Sequence, residues 1–214
     1  MNFNEILIMT FQSIQIQLLL SVLKKESIMK ELSGARWINK FQGSASTQTL
    51  SYPFRTNVEQ FLSALKLAGA SVTIAATLRP PERAYLMHWC WKISRRIVHV
   101  SDVPPMAGVN IEWDHKNDAK SLHEANAMVA AYGMTGLHVA PALRSRHTEG
   151  NAIDMNISWS GDLNIVDKNN RTVIIKAPPR DGMNTALHLV GRSYGVIKHH
   201  GGARDKPHWS SDGR

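Results

Sequence analysis

A single cysteine, Cys90, is the feature that most limits how this chain of 214 residues can be stabilised. With one thiol, no intramolecular disulfide can form. Cys90 lies in an apolar stretch, residues 85–91, and no motif activates it, so we expect a buried and inert thiol. The hydrophobic fraction of 43% and the charged fraction of 20% are ordinary for a folded protein. The fold must therefore rest on a hydrophobic core.

Hydrophobic periodicity separates predicted helices from predicted strands. Helices are expected around Val58, Phe61, Leu62 and Leu65 with Thr56 or Asn57 as the cap, from Pro81 to about Val98, over Ala119–Tyr132 and over Asn184–Tyr194. Strands are expected over residues 71–78, 138–140, 152–157, 163–166 and 172–175, the last two joined as a hairpin. This order predicts an α+β fold with a small, largely antiparallel sheet flanked by helices.

The first 28 residues are treated as an N-terminal extension, and residues 29–214 are expected to form one domain. Residues 6–23 are apolar but are interrupted by Gln12, Gln15 and Gln17, and no basic residue precedes Lys24. This is a poor secretory signal, and the apolar run is too short to predict stable membrane insertion. An amphipathic helix that associates with a membrane, and an upstream extension before a start at Met29, both remain open.

The net charge of +8 and the pI of 9.8 favour anionic partners. Nucleic acid, acidic lipid and the polyanionic bacterial envelope all fit this charge. The chain has no long basic run, no aromatic–basic RNA-binding signature and no paired-cysteine zinc finger, so no nucleic-acid partner is expected. A basic surface that is merely solvated is the alternative.

The stretch from Ser145 to Asp154 carries the chemistry. His147 and Asp154 are seven residues apart, with Gly150 where a tight turn would be needed, and a strand–turn–strand crossing would bring both side chains together. Imidazole nitrogen and carboxylate oxygen are good Zn²⁺ ligands, and a catalytic zinc takes three protein ligands and keeps one position open. His208, in the tail segment 205–209, can complete the set. Asp205 can face the attacking water without binding the metal.

These residues, written Ser145-x-His147-x-x-Gly150-x-Ala152-x-Asp154 and Asp205-x-x-His208-Trp209, resemble a family of zinc peptidases. The family (the LAS peptidases) includes D-alanyl-D-alanine carboxypeptidases, dipeptidases and phage L-alanoyl-D-glutamate endolysins. The resemblance implies the fold of that family and one catalytic zinc held by His147, Asp154 and His208. It also implies that Asp205 is the catalytic base, a position that is Glu in the dipeptidases and Asp in some endolysins.

The resemblance further implies an arginine at the end of an early strand that contacts the substrate or the developing oxyanion. Arg79 is the candidate, although residues 77–83 match the usual Tyr-Arg-Ser pattern only loosely. The alternative roles for Arg79 are to cap a helix or to form an ion pair with Glu82. Ser145 is expected to contact the substrate carboxylate or to support the turn. Trp209 is expected to shape the wall of the cleft or to pack in the core.

The chain is therefore expected to be a monomeric zinc metallopeptidase that hydrolyses peptide bonds in peptidoglycan stem peptides. An endolysin-type endopeptidase and a D,D-carboxypeptidase both fit. Action on the cell wall, in the periplasm or outside the cell, would need release by phage lysis or by a specialised secretion route. The alternatives are a D-Ala-D-Ala-type dipeptidase and a non-catalytic wall-binding protein that keeps the fold.

Overall fold

The computed structural model describes residues 15–17 and 30–214, so the predicted extension, residues 1–28, lies almost wholly outside the described residues. The structure is α+β with largely antiparallel sheets, as predicted. Residues 15–17 are helical, and within residues 30–214 the α-helices are α1 (Phe54–Leu67), α2 (Pro81–Ser94), α3 (Asp118–Ala131) and α4 (Thr185–Ser193). The strands are β1 (Glu31–Leu32), β2 (Ser71–Ala76), β3 (Ile111–Glu112), β4 (Ala152–Ser158), β5 (Leu163–Val166), β6 (Thr172–Ile175), β7 (Ile197–Lys198) and β8 (His208–Ser210). No helix within residues 15–17 and 30–214 has the length and apolar character to cross a membrane.

The chain forms two compact units. The first contains the described residues up to Trp37 together with Trp89–Gly136, and in it β1 pairs with β3 in parallel. The second contains Ile38–His88 and Leu137–Arg214. All the predicted site residues fall in this second unit.

The main sheet of the second unit has the strand order β2-β4-β8-β7, and every neighbouring pair is antiparallel. In the pairing of β4 with β8, Ile153 lies opposite Trp209 and Asp154 lies opposite His208. Because successive side chains of a strand point to opposite faces, the first pair faces the core and the second pair faces away from it. The sheet therefore presents a carboxylate and an imidazole side by side on one face.

The core of the second unit lies between this sheet, the β5–β6 hairpin and the helices α1 and α4. Helix α1 contributes Phe54, Val58, Phe61 and Leu65, all buried. The prediction that Thr56 or Asn57 caps this helix is wrong, because the helix already begins at Phe54. Phe54 is buried one turn before Val58, so the apolar face of the helix begins one turn earlier than the pattern from Val58 to Leu65 indicates.

Other predicted elements also differ from the structure, whereas the β5–β6 hairpin is confirmed residue for residue. Strand β2 ends at Ala76 and not at residue 78. Helix α2 ends at Ser94 rather than near Val98, because Arg96 adopts a left-handed conformation with φ 55°. Residues 138–140 form a bend and not a strand, and Val139 is 73% exposed. Short apolar runs do not form strands where the fold offers them no pairing partner.

Gly191 in α4 shows how closely the helix is packed on the sheet. A Cβ atom at this position would lie 2.8 Å from Cζ3 of Trp209 and 2.8 Å from the carbonyl oxygen of Val196. The backbone carbonyl cannot move without disturbing the chain that leads into β7. Gly191 therefore allows the helix to approach Trp209, the residue next to His208.

We predict that Gly191→Ala lowers the free energy of unfolding by about 1–3 kcal/mol, the usual cost of overpacking. This loss should appear even though alanine favours a helix over glycine by about 1 kcal/mol. Chemical denaturation measures the effect. Gly182→Ala is the control, because its Cβ would meet Ile157 at an ordinary 3.9 Å. Equal stability of Gly191→Ala and the wild type would contradict this account of the packing.

Candidate metal centre

The structure brings His147, Asp154 and His208 together in a group of donors able to hold a metal ion. Nε2 of His147, Oδ1 of Asp154 and Nδ1 of His208 form a triangle in which every side measures 3.1 Å. In a tetrahedral site with zinc–ligand distances near 2.0–2.1 Å, two ligand atoms lie about 3.4 Å apart. The three donors are therefore spaced much as they would be around one small cation.

The second nitrogen of each imidazole supports the same interpretation. Nδ1 of His147 lies 3.0 Å from the carbonyl oxygen of Thr77, and Nε2 of His208 lies 3.1 Å from the carbonyl oxygen of Arg214. A carbonyl can only accept, so each of these nitrogens carries the proton. The nitrogens of the triangle are thereby left with free lone pairs. Metal-bound histidines commonly make this kind of hydrogen bond.

His147 is held by a turn and not by the strand–turn–strand crossing that we expected. Residues 146–150 form turns that lead directly into β4. Gly150 has φ +68°, and a Cβ there would lie 2.7 Å from Oγ of Ser51, so the turn needs glycine. Thr77, which accepts from His147, is itself fully buried, and its hydroxyl donates to the carbonyl of Ser44.

The electrostatics of the group favour a carboxylate anion between the two imidazoles. Burial acts to raise the pKa of Asp154, but the hydrogen bonds and charges of His147 and His208 outweigh it and bring the pKa below its usual value. Burial acts to lower the pKa of His208, but the adjoining Asp154 carboxylate outweighs it and raises the pKa. When an imidazole takes up a second proton, that proton lies on the nitrogen that faces Asp154, and a bound cation would take its place.

Asp205 stands beside the triangle without belonging to it. Its Oδ2 lies 3.9 Å from Nδ1 of His208, and its side chain is 48% exposed. It lines the same cleft, which has a volume of about 450 Å³. The carboxylate is thus near the donors yet open to solvent.

Arg79 also lines this cleft, three residues after the end of β2. Its backbone N–H donates to the carbonyl of His147, but no described carboxylate forms an ion pair with its half-buried guanidinium. Burial lowers the pKa of Arg79, while the charges of Asp154 and Asp205 oppose that shift. A guanidinium in this setting is available to an anionic group of a ligand.

Arg146 has a structural role that the sequence did not reveal. Its guanidinium binds Asp212 with two nitrogens, at 3.0 and 2.5 Å, and also binds Glu149 at 2.5 Å. These contacts join the turn that carries His147 to the segment that follows β8. Glu149 is therefore an ion-pair partner within the turn and not part of the donor group.

Ser145 and Trp209 have different environments. Ser145 lines the cleft, and its buried hydroxyl has no hydrogen-bond partner among the described residues. Trp209 lies in the core instead of the cleft, fully buried, with its ring centroid 5.6 Å from that of Phe61. Of its two predicted roles the structure assigns packing, because the strand alternation that turns His208 toward the cleft turns Trp209 away from it.

His199 lies in a polar, glycine-rich stretch of the sequence, where no motif predicts a site. In the structure it lines the cleft, and its ring stands edge-on to His208 with centroids 5.4 Å apart. Its neighbour His200 is exposed. The antiparallel pairing of β7 with β8 places His199 here, and no local pattern shows that pairing.

Comparisons of the chain with protein-family models, with curated proteins and with solved structures found no match. The donor triangle, the carboxylate beside it and the arginine-lined cleft are therefore the basis on which its function is inferred.

Proposed function

We propose that the protein is a zinc peptidase that hydrolyses peptide bonds in the stem peptides of peptidoglycan, as an endolysin-type endopeptidase or a D,D-carboxypeptidase. The observation that carries the proposal is the triangle of His147, Asp154 and His208 with the open carboxylate of Asp205 beside it. Two nitrogens and one oxygen form a donor set typical of catalytic zinc. The motif resemblance to the LAS peptidases supplies the substrate class and the family fold.

Zinc in such a site polarises the scissile carbonyl and lowers the pKa of water to about 7. The residues of the chain account for the remaining requirements. Asp205, 3.9 Å from the ligand nitrogen of His208, accepts the proton of the attacking water and returns it to the leaving amine. Arg79 stabilises a carboxylate or the negative charge that develops on the carbonyl oxygen. The Ser145 hydroxyl is free to hydrogen-bond to the substrate.

The lining of the cleft includes four arginines, Arg79, Arg144, Arg146 and Arg214, beside the carboxylates of Glu149, Asp154 and Asp205. Arg144 is exposed, and its Nη2 lies 3.7 Å from Oε1 of Glu149, which makes this a loose ion pair. Such a lining favours peptides that carry carboxylates. The net charge of +8 would in addition favour adhesion to the anionic cell wall, where we propose that the enzyme acts.

The first prediction of this proposal is that the purified protein holds about one zinc per chain. His147→Ala, Asp154→Ala and His208→Ala should each lower the zinc content measured by elemental analysis, because each removes one corner of the triangle. His138→Ala and His200→Ala are matched controls, since both side chains are exposed and lie outside the donor group. Full zinc occupancy in all three ligand variants would refute the assignment.

The second prediction separates catalysis from metal binding. Asp205→Asn keeps the size of the side chain but cannot accept a proton at neutral pH, so the rate on purified peptidoglycan should fall by about 10²–10⁴-fold. Zinc should stay bound, because the triangle is untouched. Mass spectrometry of the released muropeptides gives the rate and identifies the bond that is cleaved.

Asp162→Asn is the control for this experiment, because Asp162 is exposed and does not line the cleft. Loss of zinc together with activity in Asp205→Asn would make Asp205 a ligand. Retention of both would exclude it as the base. Bound zinc in a wild-type protein that releases no muropeptides would instead favour a non-catalytic wall-binding protein.

The third prediction concerns substrate anchoring. Arg79→Lys should reduce kcat/KM by at least tenfold, because an ammonium cannot reproduce the planar two-pronged contact of a guanidinium. Zinc content and thermal stability should stay normal, since no described ion pair is lost. Arg192→Lys, an exposed position on α4, is the matched control. Wild-type kinetics in both Arg79→Lys and Arg79→Ala would show that Arg79 does not contact the substrate.

A further inference from the structure

Lys198 is a buried cation that contacts the backbone of the segment between Asp205 and His208. It is the last residue of β7 and is only 6% exposed. Its Nζ donates to the carbonyl oxygens of Asp205 at 3.4 Å, of Lys206, and of His208 at 3.1 Å. An ammonium has three donors, and here all three are used on three carbonyls within one segment of four residues.

The remaining carbonyl of this segment is also paired. The carbonyl oxygen of Pro207 accepts from the backbone N–H of Met155 in β4 at 2.9 Å. Every carbonyl from Asp205 to His208 therefore has a donor, three of them from one side chain. Pro207 has no N–H to donate, and β8, which begins at His208, has only three residues.

Burying an ammonium is costly unless its donors are well paired, so a lysine kept here solely for packing would be unfavourable. Nζ also lies 5.2 Å from the centroid of the Trp209 ring, a favourable placement for a cation. The contacts of Lys198 thus converge on the segment that joins the proposed base to a metal ligand. No contact of this kind was foreseen from the sequence.

We infer that Lys198 is a positioning residue, which holds the Asp205 carboxylate and the His208 imidazole in their relative placement by donating to the three carbonyls between and at those residues. The part of this inference that concerns Asp205 as a base rests on the proposed function. The part that concerns the backbone of residues 205–208 and the metal affinity does not depend on any substrate.

Lys198→Met tests the inference, because methionine keeps most of the apolar stem and removes all three donors. In the metal-free protein, hydrogen exchange of the peptide covering residues 199–209 should become faster than in the wild type. The dissociation constant for zinc should rise by about 10–100-fold, as is usual when a supporting hydrogen bond around a metal site is lost. On peptidoglycan fragments, kcat should fall while KM stays close to the wild-type value.

Lys176→Met is the matched control, since it removes an exposed ammonium from the same unit. Wild-type exchange and wild-type zinc affinity in Lys198→Met would overturn the inference, even if thermal stability fell. If Lys198→Met does not fold, Lys198→Gln replaces it, because its shorter amide has only two of the three donors, and the same faster exchange and weaker zinc binding are expected in smaller measure. If the wild type binds zinc but cleaves no muropeptide, the proposed function fails, while faster exchange and weaker zinc binding in the variant would still support the role of Lys198.

Discussion

The antiparallel pairing of β4 with β8 is the interaction on which the rest of the site depends. It places Asp154 opposite His208, two residues that are 54 positions apart in the chain. A slip of one residue in this register would turn every side chain of β8 to the other face of the sheet. The burial of Ile153 and Trp209 in the core opposes such a slip. Core packing and donor geometry are therefore set by the same pairing.

The placement of the charged side chains in the cleft follows from this pairing. The Asp154 carboxylate, fixed between two imidazoles, is suited to hold a cation. The arginines that line the same cleft are suited to attract anionic groups beside that cation. The ion pairs of Arg146 tie the turn before β4 to the segment after β8. Lys198 supports the segment that enters β8. The three donors are thus held by supporting contacts on both sides of the sheet.

Much of the fold followed from local patterns. The hairpin of β5 and β6 was predicted to the residue, since alternating apolar positions and a polar turn lie close together in the chain. Helix α4 was predicted to within one residue at each end, because Asn184 caps it through its side chain. Strands β1, β3, β7 and β8 were not predicted. Each has two or three residues, and it exists only because another strand, outside its local sequence pattern, pairs with it.

The sequence by itself determined which residues have the chemistry for a metal site: two histidines, an aspartate between them in the chain, and a further aspartate three residues before the second histidine. Residue type and spacing are enough for that selection, because donor chemistry belongs to the side chain. Only the tertiary structure decided the equal 3.1 Å separations, the burial of Trp209 in the core and the place of Lys198 behind the segment 205–208. These depend on strand register and on backbone carbonyls of distant residues, and a carbonyl carries no signature in the sequence.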